Sequence, residues 1–237
     1  YHITFIKLYM NDNNEYILVL GSKPDYRIPN LPFKYIYAAN GAIERTNEYK
    51  KRFSKFELIS ILGGREFEKN LEVKKRVLNS SPDKIICRLG KIDLKKYDFP
   101  KKINFQYLSN YQQLKIQSNF FNYGLINILF FETFYENNFL KKIMHMFRSI
   151  RRGALVGTST GFFAILCALL EHPDKQILIS GIGMIGGDHK YSVKDRYNKR
   201  SIVDRKLILS LKENYKNKLI TTDKDLAKNA NINFYSE

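Results

Sequence analysis

The run GTSTGFFAILCALLEHPDKQILISGIGMIGGDHKY, residues 157–191, gathers hydroxyls, glycines and a histidine in an order that suits anion chemistry. Thr158, Ser159 and Thr160 stand directly before an apolar stretch. Thr158 or Ser159 is therefore expected to cap a helix, its oxygen accepting from a backbone N–H that has no partner inside the helix. The other free N–H groups and the positive end of the helix dipole then face a loop with two hydroxyls and Gly161, a seat for a phosphate or carboxylate. Downstream, SGIGMIGGDHKY presents His189. A histidine exchanges a proton near neutral pH, which suits it to acid–base work.

Other chemistries fit less well. The turn Gly21-Ser22-Lys23-Pro24-Asp25 lacks the G-x-G-x-x-G fingerprint, and no Gly-Lys-Ser or Gly-Lys-Thr occurs. Asp223-Lys224-Asp225 has the spacing of a metal-held carboxylate pair. Thr222 and Asp223 suit a helix N-cap better, with Asp225 in the first turn. Cys87 and Cys167 each lie in an apolar run, which argues against a disulfide framework or zinc cluster and fits a reducing cytosol. No metal or other cofactor is expected. His172, between Glu171 and Pro173, reads as a helix-end residue favoured by the C-terminal dipole. His145 and His2 read as structural, and Arg151 and Arg152 as a solvated basic turn by default, with contact to anionic lipid or acceptor as the alternative.

The elements that must position these residues are legible as apolar runs ending in small residues. YILVL (16–20) precedes GSKP, KYIYAA (34–39) precedes NG, FELISIL (56–62) precedes GG, DKIICRL (83–89) precedes G, and KQILISGI (175–182) precedes GMIGG. Each reads as a buried strand leading into a loop. Between the third and fourth, Phe67, Leu71, Val77 and Leu78 recur at roughly helical spacing before Ser-Ser-Pro, and a helix near 202–216 is expected to carry Val203, Leu207, Leu211 and Tyr215 on one face. A strand at KLITT, a short helix and a final strand at INFYS follow. The alternation predicts one α/β domain over 1–237, a Rossmann-like, mostly parallel sheet flanked by helices with the small-residue loops on one edge. Residues 104–152 break the pattern, being aromatic and Asn-rich. They are read as a helical insertion, either a lid or acceptor-binding element or ordinary core-facing helices.

Residues 153–170 carry no charge and follow two arginines, so a membrane span has to be weighed. A span needs about 20 predominantly apolar residues. Only Phe162 to Leu170 is densely apolar, and a buried core helix is the better reading. Forty Lys and Arg against 23 Asp and Glu give +17, which suits phosphate-rich partners: nucleic acid, anionic lipid or nucleotide. Abundant Lys, Asn, Ile and Tyr together are also what AT-rich coding yields by itself. The basic residues are scattered and no nucleic-acid-binding motif is present, so a nucleic-acid partner is not expected.

The order of motifs resembles the bacterial sialyltransferases of glycosyltransferase family 42 and, more loosely, other enzymes that use CMP-activated keto sugars, including the β-Kdo transferases. Their first strand ends in a G-N-G-P-S turn, matched by Gly21, Ser22, Lys23, Pro24 and Asp25 with the glycine and proline kept. Their second strand ends in a nucleotide-holding asparagine, which falls on Asn40. Their central helix opens T-S-G, similar to Ser159, Thr160 and Gly161, and the following strand reads L-S-G-I, as in Ile179, Ser180, Gly181 and Ile182. Of two donor-phosphate tyrosines, the second falls on Tyr191 and the first on Ile185. The family's general-base histidine falls on Arg200 of Arg200-Ser201, a departure that puts inverting transfer by that group in doubt and makes His189 the nearby substitute.

The resemblance implies a CMP-linked ulosonic acid donor, sialic acid or Kdo, moved to a cell-surface glycan or glycolipid acceptor. Donor contacts are expected at Gly21, Ser22, Lys23, Asn40, Gly64, Ser159, Thr160, Gly161 and Tyr191, and catalysis at His189 and Arg200. CMP leaves as a phosphate monoester, which hydrogen bonds and cations can stabilise without a metal. A retaining reaction would instead need a carboxylate nucleophile, for which Asp188, Glu44 and Glu66 lie in or near the right loops. The expected location is the cytoplasm, with peripheral contact at an anionic inner membrane face. The alternatives are a nucleic-acid-binding protein and a nucleotide-binding relative without turnover.

Overall fold

A computed structural model of the chain describes residues 16–24, 26–88, 90, 92–99, 102–122, 137–151, 158–183 and 199–236. Their strands are β1 (Tyr16–Leu20), β2 (Tyr35–Ala39), β3 (Glu57–Gly63), β4 (Lys84–Arg88), β5 (Asn104–Tyr107), β6 (Gln176–Ser180), β7 (Leu219–Thr221) and β8 (Asn233–Phe234). They form one sheet in the order β5-β4-β3-β2-β1-β6-β7-β8, and every neighbouring pair is parallel. The fold is therefore an α/β, Rossmann-like sheet flanked by helices. The described strands begin at the centre with β1, run outward on one side from β2 to β5, and return to pair β6 with the free edge of β1. That reversal is a topological switch point, and all strand C-termini share the edge on which it opens.

Strands covered on both faces must be apolar at successive positions, and YILVL, YIYAA and QILIS are buried from their second residue onward. Alternation divides them between two cores. Ile17, Val19, Tyr37, Ile59, Ile61, Ile86, Ile177 and Ile179 point to one face, and Leu18, Leu20, Ile36, Ala38, Leu58, Ile85 and Leu178 to the other.

The helices are α1 (Thr46–Lys50), α2 (Gly64–Lys69), α3 (Leu71–Ser80), α4 (Asn110–Phe120), α5 (Phe139–Arg151), α6 (Thr160–Glu171), α7 (Lys199–Leu209), α8 (Glu213–Lys216) and α9 (Lys224–Ala230). α6 lies across β1, β2, β3 and β6, with Phe162 through Leu169 all buried in the first core. It is the core helix expected from its sequence, and at 12 residues it spans about 18 Å. No helix among the described residues is long and apolar enough to cross a membrane.

Three expectations need correction. Residues 64–80 form two helices, because the Asn70 side chain accepts from Glu72 N and Val73 N and starts a second one. The buried face of α3 is consequently Val73, Val77 and Ser80, and Leu71 is exposed. Residues 202–216 are likewise split into α7 and α8, with Leu211 in an antiparallel bridge to Phe121. The segment from 104, expected to be helical, begins as the edge strand β5, and α4 then packs with Phe120 in the first core.

Candidate functional site

The turn after β1 folds down onto the end of β6. Gly21 N donates to Ser180 O and Lys23 N to Gly181 O, both at 2.8 Å. The approach is so close that a Cβ at Gly21 would lie 2.2 Å from Gly181 O. Gly181 has a φ of +68°, which favours glycine, and a Cβ there would lie 2.4 Å from Arg45 Nη1.

Arg45 closes the 3-10 turn Asn40–Arg45 that follows β2 and is 4% exposed. Its guanidinium donates to Gly21 O (2.6 Å) and Lys23 O (2.5 Å) and lies 3.6 Å from the centre of the Tyr26 ring. Lys23 Nζ in turn lies 2.5 Å from Asp223 Oδ2, while Asp223 Oδ1 caps α9 through Asp225 N and Leu226 N. Asp223 is thus the cap that its place before a helix suggested, and also pairs with Lys23. Backbone and Arg45 fill the crevice between β1 and β6, and the half-buried polar groups lie beside it, toward β2, β3 and α6.

Those groups form a continuous rim. Asn40 takes the left-handed conformation at φ +49°, which asparagine tolerates, and its Oδ1 accepts from Gly63 N at 3.0 Å. Asn40 Nδ2 has no acceptor among the described residues. A Cβ at Gly63 would lie 3.8 Å from both Asn40 Oδ1 and Thr160 Oγ1, and one at Gly161 would lie 3.6 Å from the Ile182 side chain. Asn40, Gly63, Thr160, Gly161 and Ile182 therefore adjoin one another.

The start of α6 is fixed from below. Ser159 Oγ accepts from Phe162 N (3.1 Å), and Ser159 O accepts from Phe163 N (2.9 Å). The N–H groups of Thr160 and Gly161 remain without an acceptor among the described residues. Ser159 N donates to Oδ1 of the buried Asp204, on α7, at 2.9 Å. Arg88, ending β4 and 0% exposed, donates from Nη1 to Ser159 O (2.8 Å), from Nη2 to Thr158 O (3.0 Å) and from Nε to Gln113 Oε1 (3.1 Å). Its guanidinium lies 4.3 Å from the centre of the Phe163 ring. Two buried guanidiniums, a helix N-terminus and the buried Asp204 carboxylate thus meet at one sheet edge.

Of the expected donor contacts, Gly21, Ser22, Lys23, Asn40, Gly64, Ser159, Thr160 and Gly161 all reach this edge. Gly64 is closed on one side by Gly90, since a Cβ there would lie 2.7 Å from Gly90 O, so its smallness serves packing. Ser159 acts as the cap. His189, Tyr191, Ile185, Asp188 and Asp25 lie outside the described residues, and Arg200 stands in the first turn of α7. Glu44 is paired with Arg76 at 3.0 Å, and Glu66, whose Cβ would lie 3.5 Å from one added at Gly63, accepts from Asn70 Nδ2 at 2.8 Å.

Arg45, Arg88 and Asp204 were not anticipated. The available signal was an arginine closing the apolar strand KIICR, where the only outlet for charge is the sheet edge. At the other end of α6, His172 packs on Tyr35 (ring centres 4.2 Å apart) with Nε2 3.1 Å from the Tyr37 hydroxyl. Burial holds its pKa below the usual histidine value, against the adjacent Glu171 carboxylate, which raises it. Comparison of the chain with models of known families, with curated proteins and with solved structures gives no match.

Proposed function

We propose that the chain is a glycosyltransferase that moves a keto-deoxy sugar acid, sialic acid or Kdo, from a CMP-activated donor to a cell-surface glycan or glycolipid acceptor. The observation that carries this reading is the rim formed by Asn40, Thr160 and Gly161, with two unsatisfied N–H groups at the start of α6 beside the switch point. Such a rim suits a phosphate monoester, the group that CMP becomes on leaving. In the reaction the bond between the anomeric carbon and the CMP phosphate oxygen breaks. The acceptor hydroxyl forms the new bond to that carbon and gives up its proton to a base.

Tyr191 and Arg200 are assigned to the departing phosphate and His189 to the acceptor proton, from their places in the sequence. A retaining course would use Asp188 as nucleophile instead. The location that goes with this reading is the cytoplasm, peripheral at the inner face of the cell membrane.

Isothermal titration with CMP, UMP, ADP and a single-stranded oligonucleotide tests the reading, and a preference for CMP is expected. Equal affinity for the three nucleotides, or none, removes the CMP-sugar assignment, and tight oligonucleotide binding alone favours the nucleic-acid alternative. With a CMP-sugar donor, His189→Ala should abolish an ionisation near neutrality in the rate profile, whereas Arg200→Ala should lower the rate with that ionisation intact. Full activity and an unchanged profile in His189→Ala would move the base elsewhere. CMP binding without any turnover would point to the inactive relative.

A further inference from the structure

We infer that α5 (Phe139–Arg151) is an in-plane anchor for an anionic lipid bilayer. Its sequence, FLKKIMHMFRSIR, has four basic residues and no acidic one. Leu140, Met144 and Phe147 recur at spacings of four and three, which places them on one face, while Lys141, Lys142 and His145 fall on the other. Leu140 is 70% exposed, Met144 62%, Phe147 62% and the neighbouring Phe139 69%. Four large apolar side chains held in water on a single helix are unusual for a soluble surface, where they mark a docking site.

Charge selects the occupant. Two copies of a chain carrying +17 repel one another. An RNA or DNA strand would pair with the lysines but offers nothing to bury Leu140 and Met144. An anionic bilayer satisfies both faces at once, with the apolar side chains entering the acyl boundary and the lysines held at the phosphate level. The assignment extends the peripheral placement proposed above by naming the element that makes the contact. Vesicle binding and CMP binding are read separately, so either can fail alone.

The chain contains no tryptophan, so Phe147→Trp supplies a single indole on the exposed face, excited selectively beyond the absorption of the tyrosines. With equimolar phosphatidylglycerol–phosphatidylcholine vesicles the indole emission of this variant should shift to the blue and be quenched by brominated acyl chains. Pure phosphatidylcholine should give little change. In co-sedimentation, Leu140→Gln should weaken binding of the full chain about tenfold or more. Lys141→Gln and Lys142→Gln should each weaken it roughly fivefold. An indole emission unmoved by anionic vesicles overturns the inference. So does a blue shift that needs only higher protein concentration, which identifies a second copy, or one matched by an oligonucleotide without lipid.

Discussion

Replacing Arg88 by methionine tests whether the candidate site is organised from beneath. The substitution keeps an aliphatic stem over Phe163 but removes the guanidinium that joins Gln113 Oε1, Thr158 O and Ser159 O. Ser159 O keeps its bond from Phe163 N, whereas Gln113 Oε1 and Thr158 O each lose a charged donor. Each loss costs about 1–3 kcal/mol, partly offset because a cation no longer has to be desolvated. A net loss of about 2–5 kcal/mol follows, a large share of the roughly 5–15 kcal/mol typical of a domain. It should be read as a lower urea midpoint with an unchanged slope. CMP affinity should also fall under conditions where the variant is fully folded, because the first turn of α6 is no longer pinned. A variant with the parental midpoint and parental CMP affinity would refute the idea that Arg88 fixes this helix end.

Two glycines of one edge should behave oppositely. Gly21→Ala meets a backbone carbonyl that cannot step aside and should destabilise by about 1–3 kcal/mol or more, whereas Gly63→Ala meets nothing closer than 3.5 Å and should fold normally while weakening CMP binding by crowding Asn40 and Thr160. Urea melts and titration of each variant check both outcomes. Because the pKa of His172 is lowered on folding, the unfolded chain takes up the proton first as pH falls through the ordinary histidine value of about 6.5, so stability present at neutral pH should decline below that point. His172→Gln should flatten the urea midpoint between about pH 7 and about pH 5.5, and an unaltered pH dependence would count against the assignment. Burial pushes the thiols of Cys87 and Cys167 up to about 12, so neither should react with an aromatic disulfide reagent at about pH 8 until denaturant is added.

The strands were legible because a sheet covered on both faces needs unbroken apolar runs, and parallel neighbours put their small terminal residues on one edge. Ser159 and Asp223 were legible as caps because a hydroxyl or carboxylate directly before a helix has a local partner. What escaped was set by contacts distant in sequence. Nothing near Arg88 predicts Thr158 or Ser159, and Arg45 in AIERTN looks like a surface residue until the β1 turn is laid across it. The break at Asn70 was readable from its type, since an asparagine before Leu-Glu-Val is a cap signal, but the apolar spacing on either side masked it. The strand NFQY was hidden by its brevity and by its half-exposed edge position.

The central place of β1 has a consequence for how the protein is made. Leu20 pairs with Ala38 on one side and Ser180 on the other, so one flank of the strand is matched early and the second must wait for most of the chain to be synthesised. During that interval the nascent polypeptide holds a five-strand half-sheet whose innermost edge is hydrophobic and unpaired, the kind of intermediate that recruits chaperones or associates with its neighbours. The contact order of the β1–β6 closure is high, which places it late in folding. The turn at Gly21 and its seat on Gly181 come together in that same step, so ligand-binding competence should be the last property acquired on the ribosome, and a chain truncated before β6 should aggregate rather than bind.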